Sequence, residues 1–182
     1  KKKSPEKKNR SDKPKSKKKN VETQVKTRAA EIKKFRRAIV QAVQAASLGE
    51  GPNVEVSIVK EGILISLTDN ANFGMFTLAS HEPSPQLIAL MKQIAKILQQ
   101  RKEPLVVRGH TDGRPFRTAE NDNWRLSMAR AYAAYDLLIK LGVKENRIKK
   151  IEGYADRKLK QKENPGAAQN RRIEILLRGE AL

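Results

Sequence analysis

Asp112 and Arg130 carry opposite charges in settings that suggest recognition. Asp112 lies in the run Gly109-His110-Thr111-Asp112-Gly113, directly after the apolar Leu105-Val106-Val107. A carboxylate just past a short buried strand occupies a loop position where recognition groups concentrate on a rigid scaffold. Thr-Asp-Gly-Arg is also a turn sequence, and an Asp112 that merely hydrogen-bonds its own backbone is the plain alternative. Arg130 shares one helical face with Asn123 and Ser127, beside a stripe of Leu126, Ala129, Ala133 and Leu137. It stands about 40° round the helix from Leu126, which places it at the edge of a core. A guanidinium held there can fork onto a carboxylate, and a fixed carboxylate can receive an ammonium. Together they suit a zwitterion of amino-acid type. An internal Asp112 to Arg130 salt bridge without a ligand fits the same two residues.

The elements that must position this pair are legible from periodicity. Val25, Ala29, Ile32, Phe35, Ile39, Val43 and Ala46 recur at helical spacing between Val21 and Leu48, and Gly49 follows, predicting a long amphipathic helix. Val54, Val56 and Ile58, then Ile63, Ile65 and Leu67, alternate about a Lys60-Glu61-Gly62 turn and predict a hairpin. A loop over 69–84 leads to a helix opened by Pro85 that stops before Pro104. Leu105 to Val107 form a strand, Asn123 to Leu141 a helix ended by Gly142, and Arg147 to Gly153 and Arg171 to Arg178 two further strands. The order helix, hairpin, helix, strand, helix, strand, strand predicts an α/β two-layer sandwich, a mixed β-sheet with helices on one face. The expected division is a disordered Lys-rich linker over 1–20, the amphipathic helix over 21–50 and a globular domain over 51–182.

Charge and composition narrow the chemistry. The chain of 182 residues has a formal net charge of +19, which suits an anionic partner such as nucleic acid or a polyanionic envelope. Residues 1–20 hold much of that charge and almost no apolar side chain, so they cannot offset the cost of ordering, about 1 to 2 kcal/mol per residue. The linker is either a basic strap for an anionic surface or a solvated spacer. Trp124, Tyr132, Tyr135 and Tyr154 could stack on bases, but no nucleic-acid motif accompanies them, and no nucleic-acid partner is expected. There is no cysteine, and the two histidines, His81 and His110, lack metal-ligand spacing. No metal or cofactor is expected. Glu120 and Asp122 fall in a polar loop where nothing would raise a carboxyl pKa, so catalysis is not expected. No run approaches the roughly 18 to 20 apolar residues that span a bilayer. The chain opens on Lys1, which suggests an upstream segment that could carry a secretion or membrane signal.

Three ordered motifs add a resemblance. Gly109-His110-Thr111-Asp112, then Asn123-Trp124-Arg125-Leu126-Ser127-Met128-Ala129-Arg130-Ala131, then Asn170-Arg171-Arg172-Ile173-Glu174-Ile175 resemble the signature of the OmpA-like peptidoglycan-binding domain. Pro115 and Asn123-Trp124 are similar to the MotB-type flagellar stator branch of that superfamily. The resemblance implies that Asp112 meets the ammonium, and Arg130 the carboxylate, of the free amino-acid end of diaminopimelate in the peptidoglycan stem peptide. Thr111, Asn123, Ser127 and Arg172 would line or brace that site, and the loop near Phe76 and Thr77 would supply backbone groups. It further implies noncovalent cell-wall anchorage required for motility, with no enzymatic step. The domain would be periplasmic, homodimeric and part of an inner-membrane protein, with a MotA-type channel partner held through a transmembrane segment absent from this sequence. Gly153-Tyr154-Ala155-Asp156 departs from the family's commoner glycine-glutamate ending and puts the shape of the adjacent loop in question.

Overall fold

The computed structural model describes residues 15–46, 53–70, 72–77, 80–115 and 122–179. Helix α1 (Lys15–Ala46) precedes the hairpin β1 (Asn53–Val59) and β2 (Gly62–Thr68), followed by α2 (Pro85–Gln99) and β3 (Leu105–His110). Then come α3 (Asn123–Lys140), β4 (Ile148–Gly153) and β5 (Arg172–Arg178). The five strands form one sheet in the order β1-β2-β5-β3-β4. Only β3 and β4 pair in parallel; the others are antiparallel. The mixed sheet and the helical layer agree with the sequence-based expectation.

Strand parity decides what faces the helices. Ile63, Ile65 and Leu67 of β2, Leu105 and Val107 of β3, and Ile173, Ile175 and Leu177 of β5 share one buried cluster with Leu87, Leu90, Met91, Ile94 and Leu98 of α2. Successive side chains of a strand point to opposite faces, so these odd-numbered positions form the inner face. Ser84 caps α2 by accepting from the Leu87 N–H at 3.2 Å, and Pro85 opens its first turn. Phe35 and Ile39 join α1 to the same cluster.

Helix α1 begins earlier than its sequence suggested, taking in residues 15–20 that were expected to belong to a disordered linker. Lysine is a good helix former, so a Lys-rich stretch extends a helix nucleated by the amphipathic part. The rest of the expected linker lies outside the described residues, as do Gly49 and the side chains of Val25, Val43 and Ala46. Among the described residues no helix is long and apolar enough to cross a membrane.

The largest departure concerns α3. Its buried positions are Ser127, Arg130, Ala131, Ala134, Leu137 and Leu138, whereas Leu126, Ala129 and Ala133 are only partly covered. The helix is thus rotated from the expected apolar stripe, and its small residues lie against the sheet. Glycines make this possible. A Cβ on Gly109 would fall on the Ser127 carbonyl oxygen, and one on Gly153 would stand 2.8 Å from both the Met128 nitrogen and the Ser127 Oγ. Helix backbone therefore rests directly on strand backbone at β3 and β4. Gly109→Ala is expected to force the layers apart and destabilise the domain by about 2 to 3 kcal/mol, read as a lower urea midpoint at unchanged m-value.

Candidate functional site

At the rim where β2, β3 and β5 meet the N-terminal half of α3, charged side chains converge. Asp112 is 5% exposed. Its Oδ2 accepts from Arg114 Nε at 3.0 Å, Arg114 Nη2 at 2.6 Å and Arg171 Nη1 at 2.8 Å. Its Oδ1 accepts the Arg114 backbone N–H at 3.2 Å. The turn role foreseen for Asp112 is therefore real, and it coexists with two guanidinium partners. Burial pushes the Asp112 carboxyl up, and the bonds from Arg114 and Arg171 outweigh it, so its pKa lies below the usual value.

Arg130 is 6% exposed, more deeply set than a core edge. The rotation of α3 accounts for this. Its Nε donates to the Ser80 carbonyl at 2.9 Å and its guanidinium lies 5.1 Å from the Phe76 ring centroid. Neither Nη atom has a hydrogen-bond partner among the described residues, and no Asp112 to Arg130 bridge forms. Burial lowers the Arg130 pKa, with the charge of Asp69 pulling the other way and that of Arg171 adding to the lowering. This is a desolvated cation short of an anion.

The remaining expected residues divide sharply. Asn123 donates its Nδ2 to the carbonyls of Asp112 and Arg114 at 3.4 and 3.3 Å, bracing the turn. Ser127 Oγ donates to the Trp124 carbonyl at 3.0 Å and accepts the Ala155 N–H at 2.9 Å. Thr111 donates its backbone N–H to the Ala155 carbonyl at 2.9 Å, while its Oγ1 is buried without a partner. Phe76 supports Arg130 through its ring. Thr77 does not reach the site; its N–H and carbonyl are used within the loop by Glu82 and Ser80. The loop's contribution is instead the carbonyl of Ser80.

Arg172 is also elsewhere. It pairs across from His110 and donates to Glu174 Oε1 at 2.8 Å on the opposite face of the sheet. The residue that reaches Asp112 is Arg171, whose Nε is held by Asp69 Oδ2 at 2.7 Å. Burial lowers the Arg171 pKa and the two carboxylates raise it by more, so this guanidinium is firmly held. Asp69 in turn accepts the Met75 N–H at 2.8 Å, fixing the entry of the loop that carries Phe76 and Ser80. Asp69, Ser80 and Arg171 had not been singled out from the sequence. Parity could have found two of them, because Asp69 shares the phase of Ile65 and Leu67, and Arg171 that of Ile173 and Ile175.

The loop that departs from the family pattern closes the site from behind. Ala155 takes a left-handed φ of 48°, with its N–H on Ser127 and its carbonyl on Thr111. Asn170 is fully buried and donates to the carbonyls of Gln161, Asn164 and Pro165 at 3.2, 3.0 and 2.9 Å. Pro165 accepts the Gly113 N–H at 2.8 Å, so this stitched segment fixes the Asp112 turn.

The opposite face carries its own network. Glu174 meets Arg172 at 2.8 Å, His110 at 3.4 Å and Arg108 at 3.9 Å. His110 stacks on Tyr154 with ring centroids 5.1 Å apart. The His110 contact has ion-pair distance without hydrogen-bond geometry, and both ring nitrogens are buried and unpartnered. Burial lowers the His110 pKa by more than Glu174 raises it. Burial raises the Glu174 carboxyl, but His110 and Arg172 bring it down to about 2, well below its ordinary 4.5. Its stabilising contribution is complete above about pH 4.5 and is lost as pH falls towards 2. Glu174→Gln is expected to flatten the loss of stability between about pH 5 and pH 3 by on the order of 1 to 2 kcal/mol, measured by urea unfolding.

No group of His, Cys, Asp and Glu among the described residues could hold a metal. What the rim offers is a fixed carboxylate and an underpaired guanidinium on one α/β scaffold. Sheet order, helical layer and strand-end aspartate together define an OmpA-like domain. The chain belongs to the OmpA family, which it matches over residues 75–172.

The relatives include flagellar proteins. The chain is 31% identical over 125 residues to the truncated flagellar export/assembly protein LafU of Escherichia coli K12, covering 69% of this chain and 59% of that one. It is 30% identical over 128 residues to Motility protein B of the same organism, covering 69% and 42%. The chain thus spans roughly half the length of these curated relatives. Among solved structures, the cell wall anchor of the T6SS from Pseudomonas aeruginosa superposes with a TM-score of 0.63 at 28% identity, covering 80% of this chain and 97% of that one. The periplasmic domain of Helicobacter pylori MotB superposes with a TM-score of 0.60 at 26% identity, covering 74% and 86%.

Proposed function

We propose that this domain binds peptidoglycan noncovalently, holding the free amino-acid end of diaminopimelate in the stem peptide between Asp112 and Arg130. The observation that carries this reading is the buried Arg130 guanidinium with both Nη atoms unengaged among the described residues. A carboxylate laid across those atoms would complete a forked, charge-assisted pair in a desolvated setting, where such a pair is strongest. Asp112 would take the neighbouring ammonium. Binding of this kind uses no nucleophile and no proton transfer, so the domain is read as an anchor and not an enzyme.

The whole-protein role that fits is the stator of a flagellar motor. In that reading the domain is periplasmic, belongs to a dimeric inner-membrane protein with a MotA-type channel partner, and tethers the stator to the wall. Helix α1 would connect the wall-binding domain to the membrane part. The likeness to Motility protein B and LafU supports this. A second reading, another wall-anchored envelope assembly, is supported by the likeness to the T6SS cell wall anchor. Restoration of swimming when this sequence replaces the corresponding domain of a motility protein B would favour the stator; retained wall binding without swimming would favour the other assembly.

In a pulldown with purified sacculi, Asp112→Ala and Arg130→Ala are each expected to weaken binding about tenfold or more. Arg130→Lys should recover only part of it, because an ammonium keeps the charge but loses the fork. If the alanine variants remain folded and bind like wild type, the ligand lies elsewhere.

A further inference from the structure

The bonds around Asp112 show a competitor already in place. Three guanidinium N–H groups converge on Oδ2, two of them from Arg114 and one from Arg171. The two arginines differ in how they are held. Arg171 is 22% exposed by its side chain and is pinned on its other edge by Asp69. The Arg114 side chain is 59% exposed, and Asp112 is the one carboxylate it meets among the described residues. Arg114 is therefore the cation that can leave.

We propose that Arg114 is a built-in stand-in for the ligand's ammonium, an internal competitor at Asp112 that sets which ligands the site accepts. This rests on the reading of Asp112 and Arg130 as a zwitterion receptor. An amine without a carboxylate exchanges one ion pair at Asp112 for another and gains little. A zwitterion makes the same exchange but adds the pair with Arg130, whose Nη atoms no other described group engages. The competitor thus turns two separate contacts into a joint requirement and discriminates against simple amines, including free lysine side chains.

The same exchange shapes the dependence on salt. In the wild type, salt weakens the pair being broken and the pair being formed alike, so the Asp112 side of the reaction is nearly insensitive. Without Arg114, the ligand's ammonium forms a pair that replaces none, and affinity should fall as ionic strength rises. Apparent affinity scales with the fraction of molecules in which Arg114 has left Asp112, so removing the competitor raises it.

Calorimetric titration of the full chain with meso-diaminopimelate, at low and high salt, tests this on wild type and Arg114→Gln. The expected result is roughly three- to tenfold tighter binding by Arg114→Gln at low salt, a gap that narrows at high salt. NMR titration of the Asp112 carboxyl gives a ligand-free check, with its pKa expected to rise in Arg114→Gln. Equal or weaker binding by the variant, with the wild type binding normally, overturns the competitor while leaving the zwitterion site intact. An Asp112 titration that is the same in both proteins overturns it as well. Failure of both proteins to bind diaminopimelate contradicts the underlying site reading itself.

Discussion

The site depends on the contact of α3 with the sheet at Gly109 and Gly153. Strand and helix backbones meet there because no Cβ intervenes, and the helix settles with Ser127, Arg130 and Ala131 facing inward. That seating draws Arg130 out of solvent and sets Ser127 where it holds the loop after β4. A bulkier interface would lift the helix and return the guanidinium to water, where it would lose the desolvation that makes it want an anion.

Around that contact, the two faces of the sheet are given different work by parity alone. Odd positions of β2 and β5 run from the apolar core into Asp69 and Arg171 at the rim, so core and receptor are one continuous surface. Even positions carry His110, Arg172 and Glu174, which are buried, and the half-buried Arg108, an ion network on the far side. His110, Thr111 and Asp112 are consecutive, so the far network, the turn and the receptor are covalently coupled across one strand end. Asn170 and Pro165 complete the frame by tying the connection between β4 and β5 to Gly113. The receptor is accordingly held at strand ends and on a packed helix, as a selective site requires.

The sequence revealed the architecture more readily than it revealed the seating of side chains. Alternation in Ile63, Ile65 and Leu67 and helical spacing in Leu87 to Leu98 report burial of large apolar residues, and such patterns are strong. The face of α3 was misread because its inward residues are Ser127, Ala131 and Ala134, whose burial follows from glycines far along the chain. The resemblance implies Arg172, whereas the alternation of Ile173 and Ile175 puts Arg171 on the receptor side. Ser80 contributes a carbonyl, and a backbone group leaves no trace in residue identity. Arg114 pairs with Asp112 through its own rotamer, which spacing alone does not specify.

The central claim is that Arg130 receives a carboxylate while Asp112 receives the adjoining ammonium. A crystal structure of the chain grown with meso-diaminopimelate tests it most directly. The account predicts a ligand carboxylate forked on the Arg130 Nη atoms, with the ammonium of the same amino-acid end on Asp112. A ligand bound in reverse orientation, or elsewhere with Arg130 unengaged, would contradict it.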